Sequence, residues 1–267
     1  MPELPEVETI RQQLEVGLVG VMISSVEVRT PKIYIGDHTK MGGEKISQVA
    51  RVGKYLFIYF ESGKGLAIHL KMTGRLVLDV ADYADLPHTR VVIALQDGQH
   101  LYYWDTRMFG YIKAIEDIAS EYAMLKQKLG PEPWDISDTD LLRKLQKTGR
   151  AIKEAILDQS LLAGVGNIYA NDGLWLAGID PRRKANSLKL SEVKKLRSCL
   201  SQVLERGLAT GGASDNSYVD ALGKRGTYQN EFLVYGRTGE PCNNCGRALK
   251  RIVVGGRGTW VCEECQV

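Results

Sequence analysis

The chain has 267 residues, a length that suits two or three domains rather than one core. Hydrophobic residues make up 44% and charged residues 25%, which excludes general disorder, and no apolar stretch approaches the roughly 18 to 20 residues that span a bilayer. The net charge of +3 excludes a polycation, so any nucleic-acid contact requires local clustering of charge. The first residues lack a basic or apolar leader, and we expect a cytoplasmic protein.

The start of the chain carries a candidate nucleophile. Initiator methionine is commonly removed before a small second residue, and removal makes Pro2 Nα a free secondary amine. An α-amino group has a pKa of about 7.7 to 8, far below that of lysine, so more of it is unprotonated and able to attack an electrophilic carbon. Glu3, next to the rigid proline ring, could act as acid and base. The alternative is a stiff chain start in which Glu3 and Glu6 are acids at a helix N-terminus.

Residues 1–130 are predicted to form a β-rich domain with a leading helix. Val7, Ile10 and Leu14 recur at helical steps. After this helix, short apolar runs alternate with glycine-containing turns and no helical pattern intervenes, which favours an antiparallel sandwich. The predicted strands are 22–30, 46–52, 55–61, 66–72, 90–95, 101–104 and 111–115. The run Gly-Pro-Glu-Pro at 130–133 breaks the periodicity and predicts an extended linker.

Residues 131–232 are predicted to form a helical domain. Apolar residues recur at helical spacing through 141–204, and a glycine turn at 163–169 interrupts them and opens another helix. Backbone N–H groups at such a turn bind phosphate, and Asn167 would add an amide donor. Lys153, on the preceding helix, could supply a cation. The alternatives are an ordinary packing joint and a solvent-facing lysine.

Residues 233–267 are predicted to form a zinc ribbon. Two C-x2-C pairs stand in this segment, at Cys242, Cys245, Cys262 and Cys265. This spacing is typical of four thiolates around one tetrahedral zinc ion, which we interpret as structural because four protein ligands leave no open position. A Gly-Gly-Arg-Gly turn between the pairs displays Arg257. An arginine on a metal-held turn suits a nucleic-acid groove or a phosphate, and the alternative is a solvated loop residue.

Taken together, these motifs resemble the bacterial formamidopyrimidine-DNA glycosylases of base-excision repair. The resemblance rests on the Pro-Glu-Leu-Pro-Glu-Val-Glu-Thr start, Arg-Val-Gly-Lys-Tyr at 51–55, residues 159–169 and the closing ribbon, and it spans nearly the whole chain. It implies an α+β multidomain fold: an N-terminal antiparallel β-sandwich, a helix-two-turn-helix domain and a C-terminal zinc ribbon. It also implies a bifunctional glycosylase and AP lyase acting on 8-oxoguanine and formamidopyrimidines in damaged double-stranded DNA. We expect a monomer associated with the nucleoid.

The resemblance implies roles for individual residues. Pro2 is the nucleophile that attacks C1′, Glu3 the proton donor that opens the deoxyribose, and Lys54 a phosphate-binding residue. The implied DNA contacts are His69, Met72, Arg107, Phe109, Lys153, Asn167 and Arg257. By the same resemblance, the space that the flipped-out nucleotide leaves is filled by Met72, Arg107 and Phe109. An apolar side chain inserted there stabilises the kinked base stack.

One segment departs from the family pattern. Many relatives carry an arginine in the loop that covers the extruded base, whereas residues 213–220 contain none and Asn216 stands in its place. We term residues 213–220 the covering loop. Its small polar residues still suit a mobile cover, and Ser217 and Tyr218 are predicted to contact the base.

Three other functions compete with this interpretation. The endonuclease VIII branch of the family acts on oxidised pyrimidines, but its members usually have glycine where this chain has Leu4. A non-catalytic DNA-binding protein would keep the helical turn and the ribbon without the chemistry. A zinc-dependent hydrolase would need an open metal position, which four cysteine ligands do not leave.

Overall fold

The computed structural model describes all 267 residues. The chain forms two compact units, of which the first consists of Met1–Gln127 and Leu208–Gln229 and the second of Lys128–Gly207 and Asn230–Val267. None of the helices combines the length and the apolar character that crossing a membrane requires.

Helix α1 (Leu4–Leu18) opens the first unit, as the apolar periodicity predicts. Pro5 suits the first helical turn because its φ is fixed and it has no N–H to satisfy. The Glu6 carboxylate accepts a hydrogen bond from the Glu3 N–H at 2.7 Å, which satisfies a backbone donor at the helix start. The buried apolar face of the helix consists of Leu4, Val7, Ile10, Leu14 and Leu18.

Nine strands form the two sheets of the first unit. They are β1 (Ile23–Val28), β2 (Tyr34–Ile35), β3 (Ile46–Val52), β4 (Tyr55–Phe60), β5 (Gly65–His69), β6 (Arg75–Leu78), β7 (Thr89–Leu95), β8 (His100–Trp104) and β9 (Tyr111–Ile115). One sheet has the order β1-β7-β8-β6 and the other β2-β9-β5-β4-β3. All pairs are antiparallel except β2 with β9. The predicted antiparallel architecture is confirmed, and the sequence missed the short strands β2 and β6.

The core of the first unit contains side chains from both sheets and from α1. Leu14 of the helix, Ile68 of one sheet and Ile93 of the other belong to the same buried cluster. A second, smaller cluster contains Phe57 on the opposite side of β4, together with residues of helix α2 (Ile118–Lys128). Because the five-stranded sheet has apolar contacts on both faces, β4 is an unbroken apolar run rather than an alternating one.

The first unit also includes a segment from late in the chain. Leu208–Gln229, which the sequence interpretation placed with the helical domain, packs in the first unit. Gln13 of α1 holds it at two points: its Oε1 accepts from the Ala221 N–H at 2.8 Å, and its Nε2 donates to Asp220 at 2.8 Å. The predicted division into domains at 131–232 and 233–267 stays a prediction.

The second unit contains four helices and one hairpin. The elements are α3 (Asp138–Leu145), α4 (Ile152–Leu157), α5 (Asn167–Ala177), α6 (Leu190–Ala209), β10 (Lys250–Val254) and β11 (Arg257–Val261). Helix α3 is capped by Ser137, whose hydroxyl accepts from the Asp140 N–H. Helix α5 ends at Gly178, whose φ of 72° requires the left-handed conformation that glycine tolerates.

Truncation of the buried face of α1 tests this packing. We expect Leu14→Ala to lower the free energy of unfolding by about 2 to 5 kcal/mol, because Leu14 is 0% exposed and its loss leaves a cavity. Val16→Ala on the same helix is the matched control, since Val16 is 88% exposed and its removal should change stability by less than about 0.5 kcal/mol. Urea denaturation measures both. Equal losses in the two variants would contradict the packing.

Candidate functional site

The chain start is buried and held in place. Pro2 is buried, and Glu3 is only 2% exposed. The carboxylate of Glu6 accepts from the Glu3 N–H at 2.7 Å through one oxygen and from the Ala213 N–H at 2.7 Å through the other. Glu6 therefore joins the chain start to the covering loop. The sequence interpretation assigned Glu6 only a role at the helix N-terminus, because the second partner of Glu6 lies 207 positions away.

Lys54 and His69 lie at neighbouring ends of the β4–β5 ladder and are 7% and 8% exposed. The imidazole Nδ1 accepts from the Lys71 N–H at 2.9 Å, and the ring packs edge-on against Tyr55 at 4.4 Å. Burial, aided by the charges of Lys71 and Lys54, lowers the pKa of His69 to about 3. The ring is therefore neutral near pH 7. Because Nδ1 is an acceptor, Nε2 carries the proton and can donate.

Two turns, one after β5 and one after β8, display large side chains to solvent. Met72 is 41% exposed and Phe109 is 51% exposed. Arg107 lies over the Phe109 ring at 4.7 Å from its centroid. Each turn contains a non-glycine residue at positive φ, Lys71 at 51° and Met108 at 55°. Exposed apolar side chains on strained turns are costly for stability, and such features concentrate at functional sites.

Asp105, which the sequence interpretation missed, fixes both turns. It is 0% exposed. Its carboxylate accepts from the Thr73 hydroxyl of the first turn, and from the Arg107 N–H at 3.1 Å and the Gly110 N–H at 3.0 Å in the second. The only sequence signal was an acid directly after an apolar strand. Asp105 therefore holds the turn of Thr73 beside the turn of Arg107.

The covering loop is partly buried. Tyr218 is 6% exposed and its hydroxyl donates to the Glu6 carbonyl at 3.4 Å. Burial, together with two nearby carboxylates, raises the pKa of Tyr218 well above its usual range, so the phenol stays neutral. Ser214 is 0% exposed, and its hydroxyl donates to the Tyr218 carbonyl at 2.9 Å. Ser217 lies at the partly exposed end of the loop.

The four ribbon cysteines form a cluster whose Sγ atoms all lie within 4.8 Å of one another. The Cys242–Cys265 and Cys245–Cys262 sulfur separations are 3.8 and 3.4 Å. Zinc–sulfur bonds of about 2.3 Å in a tetrahedron require sulfurs about 3.8 Å apart. Although burial raises the pKa of Cys242, hydrogen bonds from the Cys245 and Asn244 N–H groups outweigh it and lower that pKa to about 6. The cluster fits one structural zinc ion.

The hairpin beside this cluster is tied to two helices through one carbonyl. The Gly258 carbonyl accepts from Lys153 Nζ at 2.9 Å and from Asn167 Nδ2 at 3.2 Å. Lys153 also donates to the Thr259 hydroxyl at 2.7 Å. Arg257, which precedes Gly258, is exposed at the hairpin turn. The starts of α4 and α5 therefore fix the position of the exposed arginine.

Comparison with known proteins identifies the family. Residues 1–112 match the model of the formamidopyrimidine-DNA glycosylase N-terminal domain, residues 129–218 that of its H2TH domain, and residues 239–267 that of a zinc finger found in this enzyme and in IleRS. The formamidopyrimidine-DNA glycosylase of Desulfitobacterium hafniense is 42% identical over the full length of both chains. The chain belongs to the formamidopyrimidine-DNA glycosylase family. That of Bacillus subtilis is 38% identical and covers 100% of this chain and 99% of its own.

Solved structures of this family match the fold. The Lactococcus lactis enzyme in complex with DNA containing an abasic site has a TM-score of 0.91 and 37% identity, with 99% of both chains covered. The Thermus thermophilus enzyme has a TM-score of 0.89 and 39% identity, with 99% of this chain and 98% of that chain covered. The predicted glycosylase family, its three-part fold and its structural zinc are confirmed.

Two of the residues predicted to contact DNA, Lys153 and Tyr218, are buried in the structure. Lys153 is 0% exposed and its ammonium contacts acceptors of the hairpin, and its predicted phosphate contact stays a prediction. Tyr218 has its ring in the core of the first unit, and its predicted contact with the base stays a prediction. The sequence did not predict the burial of either side chain, because burial depends on distant segments of the chain.

The zinc cluster gives a metal prediction. We expect the wild-type protein to hold one zinc ion per chain and Cys262→Ser to lose it, because three thiolates bind zinc more weakly than four. Colorimetric zinc assay after desalting measures this. Cys199→Ser is the matched control, since Cys199 is buried outside the cluster and should not affect zinc content. Retention of one zinc by Cys262→Ser would contradict the site.

The buried Lys153 gives a stability prediction. We expect Lys153→Met to lower the free energy of unfolding by about 1 to 3 kcal/mol and to speed zinc release to a chelator, because it leaves the Thr259 hydroxyl without its donor. Lys194→Met, on the exposed face of α6, should change neither quantity. Denaturant titration and a zinc-release assay test both variants. Unchanged zinc release in Lys153→Met would argue against the role of Lys153 in holding the hairpin.

Proposed function

We propose that this chain excises oxidised purines, chiefly 8-oxoguanine and formamidopyrimidines, from double-stranded DNA and then cleaves the backbone as an AP lyase. Membership of the formamidopyrimidine-DNA glycosylase family supports activity on oxidised purines, and AP lyase activity fits that family. The observation that carries the residue roles is the buried chain start, where Glu6 fixes Glu3 directly beside Pro2.

The glycosylase step begins at Pro2. After removal of Met1, the lone pair of its secondary amine attacks C1′ of the damaged nucleotide, and the bond from C1′ to the base breaks. The base leaves with the bonding electrons and takes up the proton released by the amine. Glu3 then donates a proton to O4′ as the sugar ring opens, which leaves an iminium ion between Pro2 and C1′.

The lyase step follows from the charge on this nitrogen. The iminium withdraws electrons and makes a C2′ proton acidic. Its removal expels the 3′ phosphate with the C3′–O electron pair in a β-elimination, and a δ-elimination then releases the 5′ phosphate. Both steps keep the sugar bonded to Pro2 until the intermediate is hydrolysed.

The exposed turns suit the flipping that this attack requires. C1′ of a stacked nucleotide is inaccessible, so the nucleotide has to rotate out of the duplex at a cost of a few kcal/mol. Met72 and Phe109 are the exposed apolar side chains that would fill the gap, and Arg107 would take the hydrogen bonds of the unpaired cytosine. Asp105 would keep the two turns in register during insertion.

Phosphate binding is distributed over both units. In the first unit, Lys54 and the neutral, Nε2-protonated His69 are the proposed donors. In the second, the N-terminal N–H groups of α5 and Arg257 are the proposed donors, with Asn167 beside them. The zinc ion would hold the hairpin that carries Arg257, a structural role.

The bound partner and the location follow from this chemistry. The neighbouring Lactococcus lactis structures are complexes with damaged DNA, and we infer damaged duplex DNA as the partner of a monomeric enzyme. A DNA substrate and four thiolate ligands, which persist in reducing compartments, fit a cytoplasmic enzyme associated with the nucleoid.

Substitution of the chain start tests the mechanism. We expect Pro2→Gly to bind 8-oxoguanine duplex but to lose most borohydride trapping, because borohydride reduces only an iminium to a stable cross-link. We expect Glu3→Gln to slow formation of the iminium, and with it borohydride trapping, about 100-fold or more, since the general acid that opens the sugar ring is lost. Mass spectrometry of the N-terminus first establishes that Met1 is absent.

The control for both variants is Glu61→Gln, whose carboxylate is 58% exposed in a surface ion pair and should not affect activity. Unchanged trapping in Pro2→Gly would show that the secondary amine of the proline ring is not required, which would contradict the assigned nucleophile. Processed wild-type protein that forms no adduct at all would reduce the chain to a DNA-binding protein.

A further inference from the structure

The covering loop is held at both of its ends, the later end through the buried Tyr218 and through Asp220, and is more exposed at its tip. Its first residues are fixed to the first unit by main-chain donors, from Ala213 to Glu6 at 2.7 Å and from Ser214 to the Gln229 side chain at 2.7 Å. The tip, residues 215–217, is partly exposed. Within the tip, the Asn216 amide donates only to the neighbouring Asp215 carboxylate. Contacts inside the loop therefore do not fix the tip to the sheet.

Arg75 supplies the contact that fixes the tip of the covering loop to the sheet. It is the first residue of β6, and its Nε donates to the Ser217 carbonyl. Its guanidinium lies 4.2 Å from the centre of the Trp104 ring, the residue opposite it in the β6–β8 ladder. Its Nη1 donates to the Tyr83 hydroxyl at 2.8 Å. The guanidinium is thus fixed by stacking and by a hydrogen bond before it reaches the loop.

This arrangement uses properties that lysine lacks. A planar guanidinium stacks on an indole ring and donates in several fixed directions at once, whereas an ammonium does neither. The acceptor on the loop is a main-chain carbonyl, so the contact does not depend on which side chain the loop carries at 217. Arg75 also stands next to the turn of Met72 and Thr73, so one residue borders both the exposed wedge and the covering loop.

We propose that Arg75 is a positioning residue that holds the tip of the covering loop over the extruded base. This proposal rests on the proposed glycosylase function. Arg75 does not touch the reacting atoms; it acts through Ser217. Its effect therefore applies to a nucleotide that carries a base and not to an abasic sugar, which offers nothing for the loop to cover.

The test compares two activities of the same variant. We expect Arg75→Gln to slow excision of 8-oxoguanine about tenfold, the rate equivalent of about 1.4 kcal/mol, and to leave cleavage of a preformed abasic site unchanged. Single-turnover assays on matched duplexes measure both rates. Hydrogen exchange of residues 213–220 in the free protein should become faster in the variant, since the tip loses its attachment.

Two further variants sharpen the comparison. Arg29→Gln is the matched control: Arg29 also donates to a main-chain carbonyl, that of Ala84, but it has no contact with the covering loop, and both activities should be unchanged. Tyr83→Phe removes the hydroxyl that orients Arg75. We expect it to slow excision of 8-oxoguanine less than Arg75→Gln does, and to leave cleavage of the abasic site unchanged. If Arg75→Gln does not fold, Tyr83→Phe tests the positioning role in its place.

The outcomes separate the two proposals. If folded Arg75→Gln loses both activities equally, or loses neither, the positioning role is overturned. The proposed function still stands in that case, provided that the wild-type protein is active. Wild-type protein that neither excises 8-oxoguanine nor cleaves abasic DNA would overturn the proposed function, and the role of Arg75 with it.

Discussion

The buried Glu6 carboxylate is the constraint on which the proposed chemistry depends. Its two oxygens accept hydrogen bonds from the Glu3 and Ala213 N–H groups, both at 2.7 Å, and the residue is 1% exposed. A buried carboxylate is costly unless it is hydrogen-bonded, so each donor stabilises the other's position. One side chain thus sets the direction of the chain start that carries Pro2 and the root of the loop proposed to cover the base. The proposed nucleophile and the covering loop are therefore positioned by the same side chain.

The same principle organises the second unit, with a carbonyl in place of the carboxylate. Gly258 accepts from both Lys153 and Asn167, which brings the starts of α4 and α5 to the hairpin that displays Arg257. The cysteine cluster folds the hairpin, and these two donors orient it. A small metal-held hairpin has too little apolar surface to fix its own orientation. Lys153 is itself inaccessible, and its contribution to the proposed DNA contact of Arg257 is to hold the hairpin.

Features that lower stability are concentrated where DNA is proposed to enter. Met72 and Phe109 expose apolar surface, and Lys71 and Met108 hold positive φ angles beside them. The buried Asp105 maintains these turns through hydrogen bonds to both. Arg75 adds a comparable contact to the covering loop. The exposed apolar side chains and the covering loop are thus held in place by buried or stacked polar side chains.

The sequence by itself determined the local features: the α1 periodicity, the strand-and-turn alternation, the paired cysteines and the family motifs. These depend on neighbours within a few positions, where spacing reports on geometry. Tertiary structure alone decided that 208–229 belongs to the first unit, that Tyr218 is in its core, and that Lys153 grips the hairpin. The sequence around a lysine or a tyrosine does not show whether its side chain lies on the surface or in the core. The burial and the partners of Lys153 and Tyr218 are set by segments that lie about a hundred positions or more away along the chain.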